Sequence, residues 1–262
     1  MRAIILAAGR GTRLNGGDRR EPKALVRLGG MSLIERQIRV LRAAGIRDIA
    51  VVVGCEADRV RSHCGPGITY IENERYAETN SLYSLWLARP LLYEGSVVLN
   101  CDVLFHPQLL RDLLAARHEA ALLLAYRRAG DPPFGDEEMK VQVEGGRVTA
   151  MSKTMPPDQA DGENVGVLRF DAPAAPLLVE KLDTIVDGGG LREWAPRAFA
   201  AFAEERPLHA IGTRGFPWIE IDFPEDYERA VREVLPLVER ADLPRPARGL
   251  APVGRLANAV TR

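Results

Sequence analysis

The chain begins Arg2-Ala-Ile-Ile-Leu-Ala-Ala-Gly-Arg-Gly-Thr-Arg-Leu14 and, after a polar insert, continues Glu21-Pro-Lys-Ala-Leu25. Its apolar run, Ala3 to Ala8, has the length and bulk of a buried strand. The run ends in a loop with two glycines around one arginine. Glycines suit a loop whose backbone must closely approach a ligand or another part of the chain. Backbone N–H groups in such a loop, with Arg13 and Lys23 nearby, suit an anionic phosphate chain.

The glycine loop matches neither of the two commonest phosphate-binding motifs. A dinucleotide-binding fold requires Gly-x-Gly-x-x-Gly/Ala, and this loop has Leu14 where the third small residue belongs. A P-loop requires Gly-Lys-Ser/Thr at its end, which is absent from this stretch. A glycine-rich loop after a strand is also often only a turn.

What remains is Leu-Ala-Ala-Gly-x-Gly-x-Arg-Leu over residues 6–14, followed by Pro-Lys-x-Leu over residues 22–25. This pairing closely resembles the signature of the MobA-like nucleotidyltransferases that activate sugar phosphates. The resemblance implies that Arg13 and Lys23 are catalytic, because they would offset charge on the triphosphate and the leaving pyrophosphate. The nucleotide-binding residues that it implies here are Leu6, Ala7, Ala8, Gly9, Gly11, Thr12, Arg13 and Lys23.

Composition and charge exclude several classes of protein. The chain has 262 residues, 46% hydrophobic and 27% charged, which is ordinary for a globular protein. A net charge of −1 gives no general attraction to nucleic acid or to an anionic membrane. No apolar run approaches the roughly 18 residues that a membrane helix needs. The three cysteines lack any zinc-site spacing, which indicates buried thiols in a reducing cytoplasm.

Strands and helices alternate after the loop. Residues 32–44 have helical spacing, residues 49–53 form a continuous β-branched strand, and a helix and a strand are predicted over 56–64 and 68–71. The alternation predicts an α/β fold with a Rossmann-like, mixed, mostly parallel sheet and helices on both faces. Right-handed crossovers place the glycine loop at the carboxyl edge of that sheet. The resemblance implies the nucleotide-diphospho-sugar transferase type of this fold.

The sequence predicts one domain with a small lobe and a tail. The nucleotidyltransferase domain is predicted over residues 1–240, including a Gly/Pro-rich lid and a β-hairpin lobe over about 129–164. Helices are predicted over 173–186 and 191–205. Residues 241–262 are predicted to be a weakly ordered tail, packed along the domain or along a neighbour. A homodimer is among the arrangements that we expect.

A second polar segment, residues 73–88, has a loop-like first half and a helical second half. Thr79 or Asn80 is a good helix N-cap, and a capped core helix is the favoured interpretation from the residues alone. The segment also resembles one that lines the nucleotide site in bacterial phosphocholine and phosphonate cytidylyltransferases. Ser81 departs from an asparagine found in some members. Under this resemblance Thr79, Asn80 and Ser81 bind the nucleotide.

Two carboxylates stand at positions suited to a metal ion. Asp102 follows a buried strand over 96–99, at the ligand edge of the sheet, and Asp is a hard oxygen ligand suited to Mg²⁺. Asp222 ends Trp218-Ile-Glu-Ile-Asp222, which resembles the family's late motif with a second metal-binding Asp. The alternatives are a turn or helix cap for Asp102 and an N-cap for Asp222.

Four further residues are candidates for binding the acceptor. Lys140 and Lys153 flank the predicted hairpin, which covers the acceptor pocket in the cytidylyltransferase branch that this region resembles. We assign them to the acceptor's anionic end, with Glu163 and Glu220 as polar anchors. The alternative, solvated charges that protect an edge strand, is equally compatible with the two lysines.

Together the resemblances imply a Mg²⁺-dependent cytidylyltransferase that joins CMP from CTP to a small phosphonate or phosphate monoester and releases pyrophosphate. Phosphocholine would require an aromatic cage, to which Trp218 and Glu220 could contribute. A phosphonate, which we favour slightly, would require extra cations such as Arg127 and Arg128. Two alternatives stay open: a sugar-1-phosphate nucleotidyltransferase using UTP or dTTP, and a non-catalytic nucleotide-sensing subunit.

Overall fold

The architecture is a nine-stranded mixed sheet with helices packed against it, seen in a computed structural model that describes residues 1–14 and 21–242. The order is β5-β4-β1-β6-β11-β8-β12-β10-β9, and the pairs β2–β3 and β7–β13 form two small sheets. The predicted α/β class is confirmed. The strands are β1 Arg2–Ala7, β2 Arg27–Leu28, β3 Met31–Ser32, β4 Ile49–Val53, β5 Ile68–Glu72, β6 Ser96–Asn100, β7 Val103–Phe105, β8 Ala120–Tyr126, β9 Lys140–Glu144, β10 Arg147–Ser152, β11 Gly162–Phe170, β12 His209–Gly212 and β13 Trp218–Glu220.

The first helix shows how local sequence sets an element's ends. The Ser32 hydroxyl accepts from the Glu35 N–H, and the Glu35 carboxylate accepts from the Ser32 N–H, which is a capping box. Gly45, with a φ of 89°, follows the end of this helix and turns the chain. The helices are α1 Leu33–Ala43, α2 Ala57–Cys64, α3 Ser81–Leu87, α4 Pro107–Ala115, α5 Ala175–Asp187, α6 Pro196–Glu205, α7 Pro224–Arg229 and α8 Leu235–Asp242.

Successive residues of the central strand β1 face two separate cores. Ala3, Ile5 and Ala7 pack into one hydrophobic cluster, whereas Ile4 and Leu6 pack into another. Side chains of a strand alternate between the two faces of its sheet. The continuous apolar run at the start of the chain is therefore a strand that is covered on both sides.

The strand register brings three separate segments to one edge of the sheet. β1 and β6 are parallel neighbours with Leu6 opposite Asn100, so the loops that follow them open side by side. β13 pairs with β7, and the Ile221 N–H donates to the Asp102 carbonyl at 3.0 Å. The glycine loop, Asp102 and the segment ending at Asp222 therefore meet at the carboxyl edge of β1 and β6.

The hairpin lobe consists of β9 and β10, and β9 also pairs with β11, with Lys140 opposite Glu163. Lys140 is 1% exposed, and its ammonium donates to the Gly135 carbonyl at 2.5 Å. Because this ammonium is buried, Lys140 is not the solvated edge charge that the sequence left open. Residues 129–138, which precede it, form neither helix nor strand.

The helix that the sequence predicts over 191–205 begins only with α6. The Leu191 carbonyl accepts from the Asn80 N–H at 3.0 Å, and the Ala195 N–H donates to the Ser81 hydroxyl at 2.9 Å. These bonds engage the backbone around the start of α3, so the segment before α6 is held in a turn instead.

Two parts of the chain lie outside the described residues, namely 15–20 and 243–262. Most of the predicted tail, residues 241–262, falls in the second part, and residues 241 and 242 end α8. Within the described ranges, every helix falls short of the length and apolar character required to cross a bilayer.

Candidate active site

Three adjoining cavities lie at the carboxyl edge of β1 and β6. We name them the central cavity, of about 230 Å³, the outer cavity, of about 560 Å³, and the acidic cavity, of about 300 Å³. The structure brings most of the predicted site residues together here. Those on the central cavity are Leu6, Ala8, Gly9, Gly11, Arg13, Lys23, Thr79, Asn80, Ser81, Asp102, Lys153, Glu220 and Asp222.

Four predicted residues lie elsewhere. Thr12 lines the outer cavity, and Glu163 lines the acidic cavity. Ala7 is 1% exposed and belongs to the sheet core. Lys140 lines none of the three cavities, since its ammonium is turned to the Gly135 carbonyl. In this position Lys140 supports the loop of residues 129–138. The sequence alone instead predicts that it contacts an acceptor.

Gly11 has a φ of +64°, and a Cβ there would lie 2.7 Å from the Glu21 carbonyl oxygen and 3.1 Å from the Lys23 side chain. Gly9 differs, because nothing lies within 4 Å of a Cβ built on it. The absence of a side chain at Gly11 therefore lets the glycine loop touch the segment that carries Lys23.

We expect Gly11→Ala to lower the melting temperature by about 2–10 °C, because left-handed strain and the contact with Glu21 together cost about 1–3 kcal/mol. The same shift would move Lys23 and weaken nucleotide binding. Gly9→Ala is the matched control and should unfold at the wild-type temperature. Thermal unfolding of both variants checks this, and equal melting temperatures for the two would contradict it.

A buried asparagine forms hydrogen bonds within the second polar segment, residues 73–88. Asn73 is 1% exposed, and its side-chain amide donates to the hydroxyls of Thr79 and Ser84 at 3.0 and 3.1 Å. The Asn80 side chain caps α3 by accepting from the Ser81 N–H at 2.8 Å. The predicted cap is therefore present, and the same residues also form part of the wall of the central cavity.

Three carboxylates meet at one point of the central cavity. Asp102, Glu220 and Asp222 each offer an oxygen, and these oxygens lie within 4.8 Å of one another. Asp102 Oδ1 is buried and accepts no hydrogen bond from any described residue. A buried carboxylate oxygen without a donor is costly unless a cation faces it. Three oxygen donors of this kind fit a hard divalent cation such as Mg²⁺.

Asp222 is not the N-cap of α7, the alternative that the sequence offered, because Phe223 occupies that position. The Asp226 carboxylate accepts from the N–H groups of Asp222 and Phe223 at 3.1 and 3.0 Å, at the start of α7. The Asp222 carboxylate is thus left to face the cavity, where it lies beside Lys23 and Arg13.

Ion pairs run across the cavity without a break. Lys23 donates to Asp102 at 2.9 Å and also pairs with Asp222, so one ammonium joins the two candidate metal ligands. The charges alternate in sign from one end to the other. We call this set the ion chain, and it consists of Lys153, Glu137, Arg13, Asp222, Lys23 and Asp102.

The other half of the ion chain reaches the loop of residues 129–138. Arg13 donates to Asp222 at 2.8 Å and to Glu137 Oε2 at 2.6 Å, and Lys153 donates to the same Oε2 at 3.0 Å. Hydrogen bonds from Arg13 and Lys153 lower the pKa of Glu137 to about 2. The cations suited to a triphosphate are therefore paired with carboxylates in this state.

Carboxylic acids dominate the acidic cavity. Six of its ten lining residues are acidic and one, Arg229, is basic. Glu138 Oε2 is buried without a hydrogen-bond partner among the described residues. The aromatic side chains of Trp218 and Phe223 complete the wall. This cavity would attract a cation and repel an anion.

Glu163 lies in the most acidic surroundings of the site. Burial raises its pKa to about 8, with further rises from Glu220, Glu138 and Asp226 and an opposing effect of Lys140. Burial, followed by the charge of Asp102, also raises the pKa of Glu220. Glu163 is thus largely protonated at neutral pH and can donate a hydrogen bond.

We expect the Glu163→Gln variant to have a higher melting temperature than the wild type, and we expect this difference to grow as the pH rises. The folded protein holds a proton on Glu163 up to about pH 8, whereas the unfolded chain releases it near pH 4.5. Wild-type stability therefore falls between these values, and a glutamine removes that loss. Thermal unfolding at pH 5 and pH 8.5 measures the effect. The exposed Glu144→Gln in β9, the strand that pairs with β11, is the control. A difference in melting temperature that does not change with pH would contradict the prediction.

Sequence reasoning missed several residues of the central cavity, including Glu137, Asn73, Asn100, Asn164 and Trp194. Asn73 follows β5 and Asn100 ends the buried strand β6, so their positions at strand ends could have identified them. The acidic residues 136–138 resemble solvated loop charges, and nothing local indicates that Glu137 meets Arg13 across the fold.

Comparisons with known proteins agree with this geometry. MobA-like NTP transferase domains match residues 3–171. A bifunctional IPC transferase and DIPP synthase of Rubrobacter xylanophilus is 33% identical over 239 residues, which cover 89% of this chain but only 52% of that protein. A choline-phosphate cytidylyltransferase of Streptococcus pneumoniae is 28% identical, over 90% of this chain and 98% of its own length. The solved CTP:phosphocholine cytidylyltransferase of S. pneumoniae superposes with a TM-score of 0.68 at 26% identity, covering 88% of this chain and 97% of that one.

Proposed function

The chain belongs to the MobA-like NTP transferase family, and from this we propose that it is a Mg²⁺-dependent cytidylyltransferase. It would join CMP from CTP to a small phosphate or phosphonate monoester and release pyrophosphate. The ion chain is the observation that carries the proposal, because it sets three cations suited to a triphosphate beside two carboxylates suited to a metal. Relatives that align over most of this chain are cytidylyltransferases, which supports CTP as the nucleotide.

The reaction needs positioning and charge neutralisation more than proton transfer. The acceptor oxygen is already anionic, so it can bond to the α-phosphorus without a general base while the bond to the leaving pyrophosphate breaks. Arg13 and Lys23 would bind the phosphates and offset the charge that develops on the pyrophosphate. Both line the central cavity together with the glycine loop.

Asp102 and Asp222 would hold the metal ion, with Glu220 beside them. Nucleotidyltransferases of this family commonly use a divalent metal, and the cluster of three carboxylate oxygens fits one. A bound Mg²⁺ would supply positive charge at the reacting phosphate. The Lys23 ammonium pairs with both aspartates and so lies beside the proposed metal position.

The acidic cavity supports an acceptor with a positively charged end. Its carboxyl groups outnumber its two aromatic rings, Trp218 and Phe223. A primary ammonium donates three hydrogen bonds to such groups, whereas a quaternary ammonium donates none and relies on aromatic faces. We therefore propose an aminoalkylphosphonate in preference to phosphocholine or a carboxylated phosphonate.

We also propose where in the cell the reaction takes place and which partners the chain has. We place the reaction in the cytoplasm, which agrees with Cys55, Cys64 and Cys101 being buried. No nucleic acid or membrane partner is proposed. The homodimer stays a prediction from the sequence.

Pyrophosphate release with each of the four NTPs, with and without Mg²⁺, tests the proposed reaction. The acceptor panel holds 2-aminoethylphosphonate, ethylphosphonate, a carboxylated phosphonate, phosphocholine and glucose-1-phosphate. We expect release only with CTP and Mg²⁺, and most rapidly with 2-aminoethylphosphonate. Turnover of glucose-1-phosphate with UTP or dTTP would instead identify a sugar-phosphate enzyme. Nucleotide binding without release for any acceptor would identify a sensing subunit.

A further inference from the structure

Glu137 stands where a phosphate oxygen of a nucleotide would be expected. One carboxylate oxygen, Oε2, accepts from the Arg13 guanidinium at 2.6 Å and from the Lys153 ammonium at 3.0 Å. A guanidinium and an ammonium that converge on one anionic oxygen form an arrangement that binds phosphate. The chain thus fills its own phosphate position with a carboxylate.

The contact is easily broken. The side chains of Arg13 and Glu137 are 41% and 51% exposed, and Glu137 belongs to the loop of residues 129–138, which has no regular structure. Exposed ion pairs contribute little to stability, and such loops open locally at low cost. A triphosphate with several anionic oxygens would therefore compete well for the same two cations.

Glu137 also borders the place where the acceptor is proposed to bind. Of the described residues, only Glu137 lines all three cavities, the central, the outer and the acidic one. Moved away from Arg13 and Lys153, its carboxylate would add to the negative charge of the acidic cavity. That charge favours a cationic ligand only after the nucleotide has bound.

We propose that Glu137 is a positioning residue that nucleotide binding displaces from Arg13 and Lys153, and whose freed carboxylate then helps to bind the cationic end of the acceptor. This inference rests on the proposed reaction. It predicts ordered binding, with the nucleotide before the acceptor, and a reciprocal gain in affinity between the two ligands.

The first measurement is the affinity for α,β-methylene CTP with Mg²⁺, by calorimetry and without acceptor. Glu137→Gln should bind this analogue about 4-fold to 25-fold more tightly, because two exposed ion pairs no longer compete, each usually contributing a factor of about two to five. Asp136→Asn removes the same charge from the neighbouring residue and should change the affinity less than about twofold. Equal or weaker binding by Glu137→Gln would overturn the inference, and so would an equal gain in Asp136→Asn.

The second measurement is the affinity for 2-aminoethylphosphonate with and without the saturating analogue. In the wild type the analogue should strengthen acceptor binding about threefold or more, and in Glu137→Gln this coupling should vanish. A residue with only a structural role would change neither coupling nor nucleotide affinity in this direction. Wild-type coupling that persists in Glu137→Gln would refute the role in acceptor binding.

The experiments would give a different result if the proposed reaction, and not the role of Glu137, were wrong. A wild-type enzyme that releases no pyrophosphate with any nucleotide and acceptor would refute the reaction. The competition for Arg13 and Lys153 would then still be tested, with pyrophosphate as the ligand in place of the analogue. Normal wild-type turnover with unchanged nucleotide affinity in Glu137→Gln would refute the inference alone.

Discussion

Replacing Asp102 by Asn is expected to lower kcat by about 10³-fold, because the variant loses one anionic ligand of the proposed metal ion. Asp102 Oδ1 is buried without a hydrogen-bond donor, and Oδ2 accepts from Lys23 at 2.9 Å. An amide at this position keeps the shape of the side chain but carries no charge. Steady-state pyrophosphate release under saturating CTP and acceptor measures the loss.

The fold should survive this change. Asp102, Glu220 and Asp222 have oxygens within 4.8 Å of one another, so a neutral side chain relieves repulsion while it gives up the bond from Lys23. The matched control is Asp112→Asn, because the Asp102 and Asp112 side chains are both 15% exposed and ion-paired, and Asp112 lies outside the three cavities. That control should keep its full turnover. An Asp102→Asn enzyme within tenfold of wild type would refute the metal role.

The sequence was most informative where local pattern and chain order agree. The apolar run that forms β1 could be interpreted from its length alone, and the glycine loop with the Pro-Lys segment indicated the family, which is confirmed. Asp102 was indicated by its position after a strand that ends at the ligand edge, and Asp222 by the resemblance of residues 218–222 to the family's late motif. Their roles as metal ligands stay predictions.

Contacts between distant segments were not predictable from local pattern. Glu137 meets Arg13, which is 124 positions away in the chain, and the charged loop around it resembles an ordinary solvated surface. Lys140 occupies an alternating strand, where an outward-facing charge is the usual expectation, yet the loop of residues 129–138 covers it. The turn before α6 likewise depends on hydrogen bonds to the start of α3.

The acceptor prediction shows the same limitation. The cations near the hairpin favoured a small anionic phosphonate in the sequence analysis, because a sequence does not show where each side chain points. In the structure Lys153 belongs to the ion chain, and Lys140 is buried away from the cavities. The carboxylates of four separate segments, around Glu138, Glu163, Glu220 and Asp226, instead converge on one cavity. The proposal of an acceptor with a cationic end rests on that convergence.

Lys23→Met is expected to lower kcat/KM by about 10²- to 10³-fold, because the variant loses the charge that meets the leaving pyrophosphate. The Lys23 ammonium lies between Asp102 and Asp222 in a position that is 14% exposed. Lys23→Arg should not restore activity, since a planar guanidinium is larger than an ammonium and cannot take the same place between two carboxylates.

The melting temperature and the activity of the Lys23→Met variant should respond differently to added Mg²⁺. Without Lys23, the carboxylates of Asp102, Asp222 and Glu220 face one another with only the Arg13 pair to Asp222 to offset their charge, and we expect the melting temperature to fall by about 2–10 °C. Added Mg²⁺ should restore the melting temperature by binding the three carboxylates, but it should not restore kcat/KM. Lys181→Met is the matched control, because Lys181 is also 14% exposed and pairs with two glutamates, far from the cavities in α5. Recovery of activity with Mg²⁺ would mean that Lys23 only balances charge in the free enzyme and takes no part in the reaction.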